Sequence, residues 1–214
     1  MLSPLERTAM SIQAQRQYTP EEYLALERRA HHRSEYFGGD IFAMSGATRR
    51  HNLIVSNIVI EIGRQIADRP CEVYPTDMKV QVSATGLFTY PDVVVVCDEP
   101  RFRDEREDVL LNPTFLVEVL SETTEAYDRG AKSEQYRTIN SLREYLLVAQ
   151  DRCHVEQYIR QLDGQWLLRE AGDREARLGL DAIGCALPLD AVYAKVKLAA
   201  GPPSIAPPRR RDQS

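Results

Sequence analysis

The chain has 214 residues, 43% of them hydrophobic and 28% charged, with a formal net charge of −5. That is enough apolar material for the core of one sizeable domain, and the negative balance excludes a protein that coats nucleic acid by neutralising phosphates wholesale. It leaves room for an enzyme whose positive field is local or carried by a metal.

Residues 1–17 mix charged and polar side chains without the apolar centre of an export signal, and the segment reads as flexible. No apolar run reaches the roughly eighteen residues of a membrane span, so no membrane association and a cytoplasmic location are expected. Thr19-Pro20-Glu21-Glu22 opens a helix that runs to about Arg29: a capping hydroxyl, a proline in the first turn, then acids at the positive end of the dipole. Glu35 to Met44 reads as a hairpin turning at Gly38-Gly39. A long helix is expected over 47–67, because Leu53, Ile54, Ile58, Ile62 and Ile66 recur at helical spacing; Arg49, Arg50 and His51 occupy its first turn and Pro70 stops it. Asp77 to Ser83 alternates as a half-buried strand, with Met78, Val80 and Val82 on one side and Asp77, Lys79 and Gln81 on the other.

Two strongly apolar strands follow, 90–97 and 115–121, separated by a charged surface loop over 98–113. A helix over 128–140 carries Lys132, a strand spans 143–149, and a hairpin over 154–161 and 165–170 turns at Asp163-Gly164. Residues 181–189 form a terminal segment. The layout predicts a single domain over 18–200, of α/β class with a mixed α+β sheet flanked by helices, and a disordered tail over 201–214 that is rich in proline and arginine. Cys71, Cys97, Cys153 and Cys185 form no closely spaced pair, which argues against a zinc site and for four reduced structural thiols.

The chemistry concentrates between Tyr90 and Lys132. Asp92 opens a run of four valines, and Glu118 stands within Phe115-Leu116-Val117-Glu118-Val119-Leu120. A carboxylate inside such a strand loses its hydration and persists only when paired with a cation, a metal or a proton. Two of them on neighbouring strands suit Mg²⁺, which takes a few carboxylate oxygens and keeps several waters.

Pro91-Asp92 followed by Glu118-Val119-Leu120 resembles the PD-(D/E)XK nuclease superfamily. Tyr90-Pro91-Asp92-Val93-Val94-Val95, Leu116 to Ser121, Tyr127-Asp128-Arg129-Gly130-Ala131-Lys132 and Glu144 to Val148 resemble the Uma family of restriction-endonuclease-like proteins. The stretch from Glu35 to His51 resembles it too. The resemblance implies a restriction-endonuclease-like core and a Mg²⁺- or Mn²⁺-dependent endonuclease, a hydrolase acting on DNA as a homodimer. Asp92 and Glu118 would be the metal ligands, with the Val119 backbone carbonyl as a third oxygen. The superfamily's lysine position, two after Glu118, is Leu120, which cannot supply a cation. Lys132 is the substitute implied by the family, with Lys79 as a second candidate. Glu35 and Asp77 are further acids for the site, and Arg49 and His51 are candidate phosphate contacts at a helix start.

Each residue also has a structural role open to it. Asp92 could cap a turn, Lys132 could be a surface lysine paired with Asp128 at i, i+4, and Tyr136 and Trp166 could be packing residues. The competing function is a nuclease fold without activity, serving in DNA binding or assembly. A hydrolase of small phosphate esters fits less well, because no glycine-rich phosphate loop is present.

Overall fold

The computed structural model describes residues 17–198; the expectations for residues 1–16 and for the tail lie outside them. In chain order the elements are α1 (Pro20–Glu27), β1 (Ser34–Phe37), β2 (Asp40–Ala43), α2 (Arg49–Ile66), β3 (Glu72–Pro75), β4 (Lys79–Val82), β5 (Leu87–Thr89), β6 (Val93–Val96), β7 (Val109–Leu110) and β8 (Phe115–Leu120). A crossover follows: α3 (Glu125–Tyr127), a π-helical turn (Asp128–Lys132) and α4 (Ser133–Arg137). The chain then forms β9 (Glu144–Ala149), β10 (Val155–Arg160), β11 (Trp166–Ala171), β12 (Arg177–Leu180), a 3₁₀ turn (Asp181–Ile183), β13 (Cys185–Pro188) and α5 (Leu189–Val192).

The strands build a six-stranded sheet in the order β11-β10-β9-β8-β6-β3, a five-stranded sheet in the order β2-β1-β5-β4-β7, and a small pair, β12-β13. In the six-stranded sheet only β8 and β9 run parallel. Parallel neighbours need a crossover connection, and here that connection is the segment carrying Lys132.

The valine and leucine runs have no polar alternation because both faces of the six-stranded sheet are covered. On one face Val93, Val95, Val117 and Val119 pack against Ile54, Ile58 and Ile62 of α2 and against β12, β13 and α5. Each of those isoleucines is fully buried and is worth about 1.5–3 kcal/mol relative to exposure. On the other face Val94, Val96, Leu116 and Leu120 meet Tyr136 of α4 and Val80, Val82 and Leu87 of the five-stranded sheet. Glu118 shares that second face by strand parity.

Both N-terminal caps form. Thr19 and Glu22 complete a capping box on α1, and Thr48 Oγ1 accepts from the His51 amide at the start of α2.

Five expectations need correction. The strand over 79–82 does not join the sheet of β6, β8 and β9. It pairs with β5 and β7 in the five-stranded sheet. The chain changes sheets at Tyr90-Pro91-Asp92, where proline has no N–H for a ladder, so β6 begins at Val93 rather than Tyr90. Asp77 lies outside any strand, in the turn before β4. The loop over 98–113 contains a buried strand, β7. Cys71 and Cys97 are joined as a disulfide, while Cys153 and Cys185 are free thiols. The unexpected strand β3 explains the last point: its register sets Glu72 opposite Val96, so the next pair outward is Cys71 and Cys97, with Cα atoms 4.0 Å apart.

Candidate active site

The β6–β8 ladder ends with Val93 opposite Val117. One step further, Asp92 faces Glu118. Residues facing each other across antiparallel strands project from the same side of the sheet, so the two acids share a face. The Asp92 carboxylate is fixed on two sides: Oδ2 accepts from the Val119 amide at 2.8 Å and lies 3.2 Å from His51 Nε2. In an extended strand a residue's N–H and C=O leave on the same side, so the Val119 carbonyl is directed toward the Asp92 edge as well. His51 comes from the first turn of α2, and its Nδ1 is a buried nitrogen without a hydrogen-bond partner. Thr48, the cap of α2, donates from Oγ1 to Gln150 Oε1 at 2.6 Å, just beyond the end of β9. These contacts hold the positive end of an 18-residue helix at the C-terminal ends of the two parallel strands.

Lys132 enters from the crossover. Its ammonium lies 2.9 Å from Glu118 Oε1, 3.1 Å from Glu35 Oε1 and 3.6 Å from Asp128 Oδ1. Only 5% of its side chain is exposed. The Tyr136 hydroxyl donates to the same Glu118 oxygen, and Thr89 Oγ1 donates to Glu35 Oε1 at 2.5 Å. Glu35 thus arrives from β1 of the other sheet, and the cluster sits where the two sheets and the crossover meet.

Burial pushes the Glu118 carboxyl well above its ordinary range; Lys132 opposes the shift, and Asp128 and Asp92 add to it. Burial likewise raises Asp128, again against Lys132. Burial works against the charge on Lys132 too, yet Glu118, Tyr136, Glu35 and Asp128 together hold its ammonium well above the ordinary lysine value. One cation serves three carboxylates, so the lysine stays charged and the acids compete for it.

The other expected residues fall elsewhere. Lys79 is buried 5.2 and 5.3 Å from the ring centres of Tyr23 and Tyr90, where burial lowers its pKa. The Tyr90 hydroxyl there donates to Glu27. Lys79 belongs to that second buried network, not to the one around Glu118. Asp77 is 85% exposed and pairs with Arg33 at 3.1 Å. Arg49 is exposed in the first turn of α2, while His51 is largely buried against Asp92.

Asp128 and Tyr136 belong to the cluster although sequence reasoning assigned them to surface pairing and to packing. The available signal was their spacing, four residues either side of Lys132, which puts all three on one helical stripe. A separate grouping lies on the β10–β11 hairpin, where ligand atoms of His154, Glu156 and Glu170 come within 4.8 Å of one another. Arg129 already pairs with Glu156 there.

A mixed sheet with facing acids at the end of its central strands and a crossover between its parallel pair defines a restriction-endonuclease-like fold. The model of the Uma2 family, described as "Putative restriction endonuclease", matches residues 20–190, and the chain belongs to that family. It is similar to two proteins of Synechocystis sp. (strain ATCC 27184 / PCC 6803 / Kazusa). "Uncharacterized protein slr1290" is 38% identical over 177 residues, which cover 82% of this chain and 90% of that protein. "Uncharacterized protein sll1609" is 36% identical over 160 residues, covering 75% and 90%. A crystal structure from Anabaena variabilis ATCC 29413, described as "a putative nuclease belonging to DUF820", shares the fold with a TM-score of 0.70 at 18% identity, over 84% of this chain and 99% of that one.

Proposed function

We propose that this protein is a Mg²⁺- or Mn²⁺-dependent endonuclease that hydrolyses phosphodiester bonds of DNA. The observation that carries the reading is the Lys132 ammonium, 2.9 Å from Glu118. The helical crossover supplies the cation that Leu120 cannot.

The donor set suits a hard divalent cation. Asp92, Glu118 and the Val119 carbonyl offer oxygen alone, with no thiolate, and Mg²⁺ binds through a few such oxygens plus water. Bound metal supplies Lewis-acid charge and eases deprotonation of water. Lys132 presents a compact ammonium where negative charge builds on the phosphoryl oxygens. Glu35 and Asp128 orient that ammonium, and His51 orients Asp92. Arg49 and the positive end of α2 meet a phosphate beside the scissile one. Two-strand cleavage calls for two sites, and a two-fold homodimer meets that need. Among the described residues no helix is long and apolar enough to cross a membrane.

A second reading has its own observation. Each acid of the cluster is already engaged internally, Asp92 by Val119 and His51 and Glu118 by Lys132 and Tyr136, as suits a nuclease fold retained for DNA binding or assembly. Incubation of plasmid, linear and single-stranded DNA with and without Mn²⁺ separates the two. Metal-dependent cutting that disappears in Asp92→Asn supports the nuclease. DNA binding without cutting at any Mn²⁺ concentration supports the inactive module.

A further inference from the structure

Lys132 is buried among the carboxylates it neutralises. Its side chain is 5% exposed, and its backbone is part of the π-helical turn between α3 and α4. Three carboxylates surround it at 2.9, 3.1 and 3.6 Å. The longest of these distances, to Asp128, has slack: bringing it to the length of the Glu118 contact takes 0.7 Å (3.6 − 2.9). Asp128 is as deeply buried as Lys132 and lies one turn before it. A buried carboxylate needs a cation partner or a proton, and Lys132 is the cation within reach of Asp128.

We propose that Lys132 is an exchangeable internal counter-ion, and that Asp128 is the positioning residue that retains it when Glu118 turns to a divalent cation. In the metal-free protein the ammonium neutralises Glu118 and Glu35 and holds the acids together. With a divalent cation on Asp92 and Glu118, like charges repel. Lys132 then releases Glu118, keeps Glu35 and closes on Asp128, which holds the ammonium in the pocket for the phosphate. The proposal rests on Asp92 and Glu118 being metal ligands. It adds that the lysine competes with the metal for Glu118 before serving the reaction.

The competition can be read from binding alone, by calorimetric titration of the full chain with Mn²⁺ and no DNA. Lys132→Met removes the competitor and should tighten Mn²⁺ binding by about tenfold or more, since a buried ammonium within a few ångströms strongly opposes a second cation. Asp128→Asn removes the retreat and should weaken binding by about tenfold in the wild-type background but by less than about twofold in the Lys132→Met background, the non-additivity expected of residues acting through one another. If Mn²⁺ binds the wild type and Asp92→Asn equally, or neither, the metal-site reading itself fails. If Asp92→Asn abolishes binding but Lys132→Met leaves it unchanged or weaker, the metal site stands and the counter-ion exchange is overturned. Equal effects of Asp128→Asn in both backgrounds overturn the role of Asp128. If Lys132→Met is unfolded without metal, circular dichroism during Mn²⁺ addition decides: recovered helix supports the exchange, and none overturns it.

Discussion

The Lys132 ammonium stands 2.9 Å from Glu118 Oε1, although Glu118 belongs to β8 and Lys132 to the crossover between β8 and β9. The parallel pairing of those strands makes that approach possible, since it obliges the intervening chain to return across the sheet.

Replacing Lys132 should therefore lower turnover per folded molecule, and replacing Lys79 should not. Lys132→Ala is expected to lower metal-dependent DNA cleavage by about two to three orders of magnitude, the scale of a lost transition-state donor. Lys132→Arg should fail too, because a planar fork does not fit a pocket shaped for a compact ammonium. Lys79→Met should leave turnover per folded molecule intact and lower the melting temperature, since it removes a cation held against two tyrosine rings, worth about 0.5–2 kcal/mol. Equal activity loss in both variants would reverse the assignment.

The acid pair makes a prediction about pH in the metal-free protein. Burial raises the folded-state pKa of Glu118 above its ordinary value of 4.5, with Lys132 opposing and Asp128 and Asp92 adding. The folded protein then holds that proton more tightly than the unfolded chain. Its contribution to stability is complete below the unfolded value and is lost as pH rises through the higher folded value. Asp128 shifts in the same direction. With chelator present, the melting temperature should fall as pH rises above the ordinary carboxyl value of 4.5, and Glu118→Gln should flatten part of the fall. Identical slopes in the two proteins would show that Glu118 is not the group responsible.

Tyr136 is expected to matter through its hydroxyl as well as its ring. Tyr136→Phe keeps the packing but removes the donor to Glu118, at a cost of about 0.5–1.5 kcal/mol while that carboxyl holds its proton and about 1.5–3 kcal/mol once it is charged. Chemical denaturation measures this directly; a change within about 0.5 kcal/mol, the range of an ordinary surface substitution, would return Tyr136 to a packing role.

The cysteines offer a test that needs no activity. Denatured, unreduced protein should titrate two thiols, Cys153 and Cys185, and reduced protein four. Cys71→Ser with Cys97→Ser opens a cross-link spanning 26 residues and should cost about 3.5 kcal/mol by loop-closure entropy. Four thiols in the unreduced protein would restore the reading of all four cysteines as reduced.

Much of this was legible in the residues because it rests on local patterns. The isoleucine spacing of α2, the Thr19 cap, the Gly38-Gly39 turn and the doubly apolar strands around Asp92 and Glu118 each follow from helical or strand periodicity, which neighbouring side chains dictate. Glu118 was visible as an acid among aliphatic neighbours, and its burial cost alone required a partner. Asp128 and Tyr136 left only a spacing that an ordinary surface helix also has.

Tertiary structure alone decided which partner, because pairing between strands distant in sequence leaves little mark in either strand. By residue type alone Lys79 and Lys132 are equivalent, and it was the family resemblance that put Lys132 first. The break at Pro91 sends the strand of Lys79 into the second sheet, toward Tyr23 and Tyr90, while the crossover after β8 turns Lys132 back over Glu118. The same holds for Cys71 and Cys97, which become neighbours only when β3 pairs with β6, and for His51, which meets Asp92 only because the start of α2 abuts the strand ends. Sequence determined which groups are costly to bury; the register and order of the strands determined which of them are buried together.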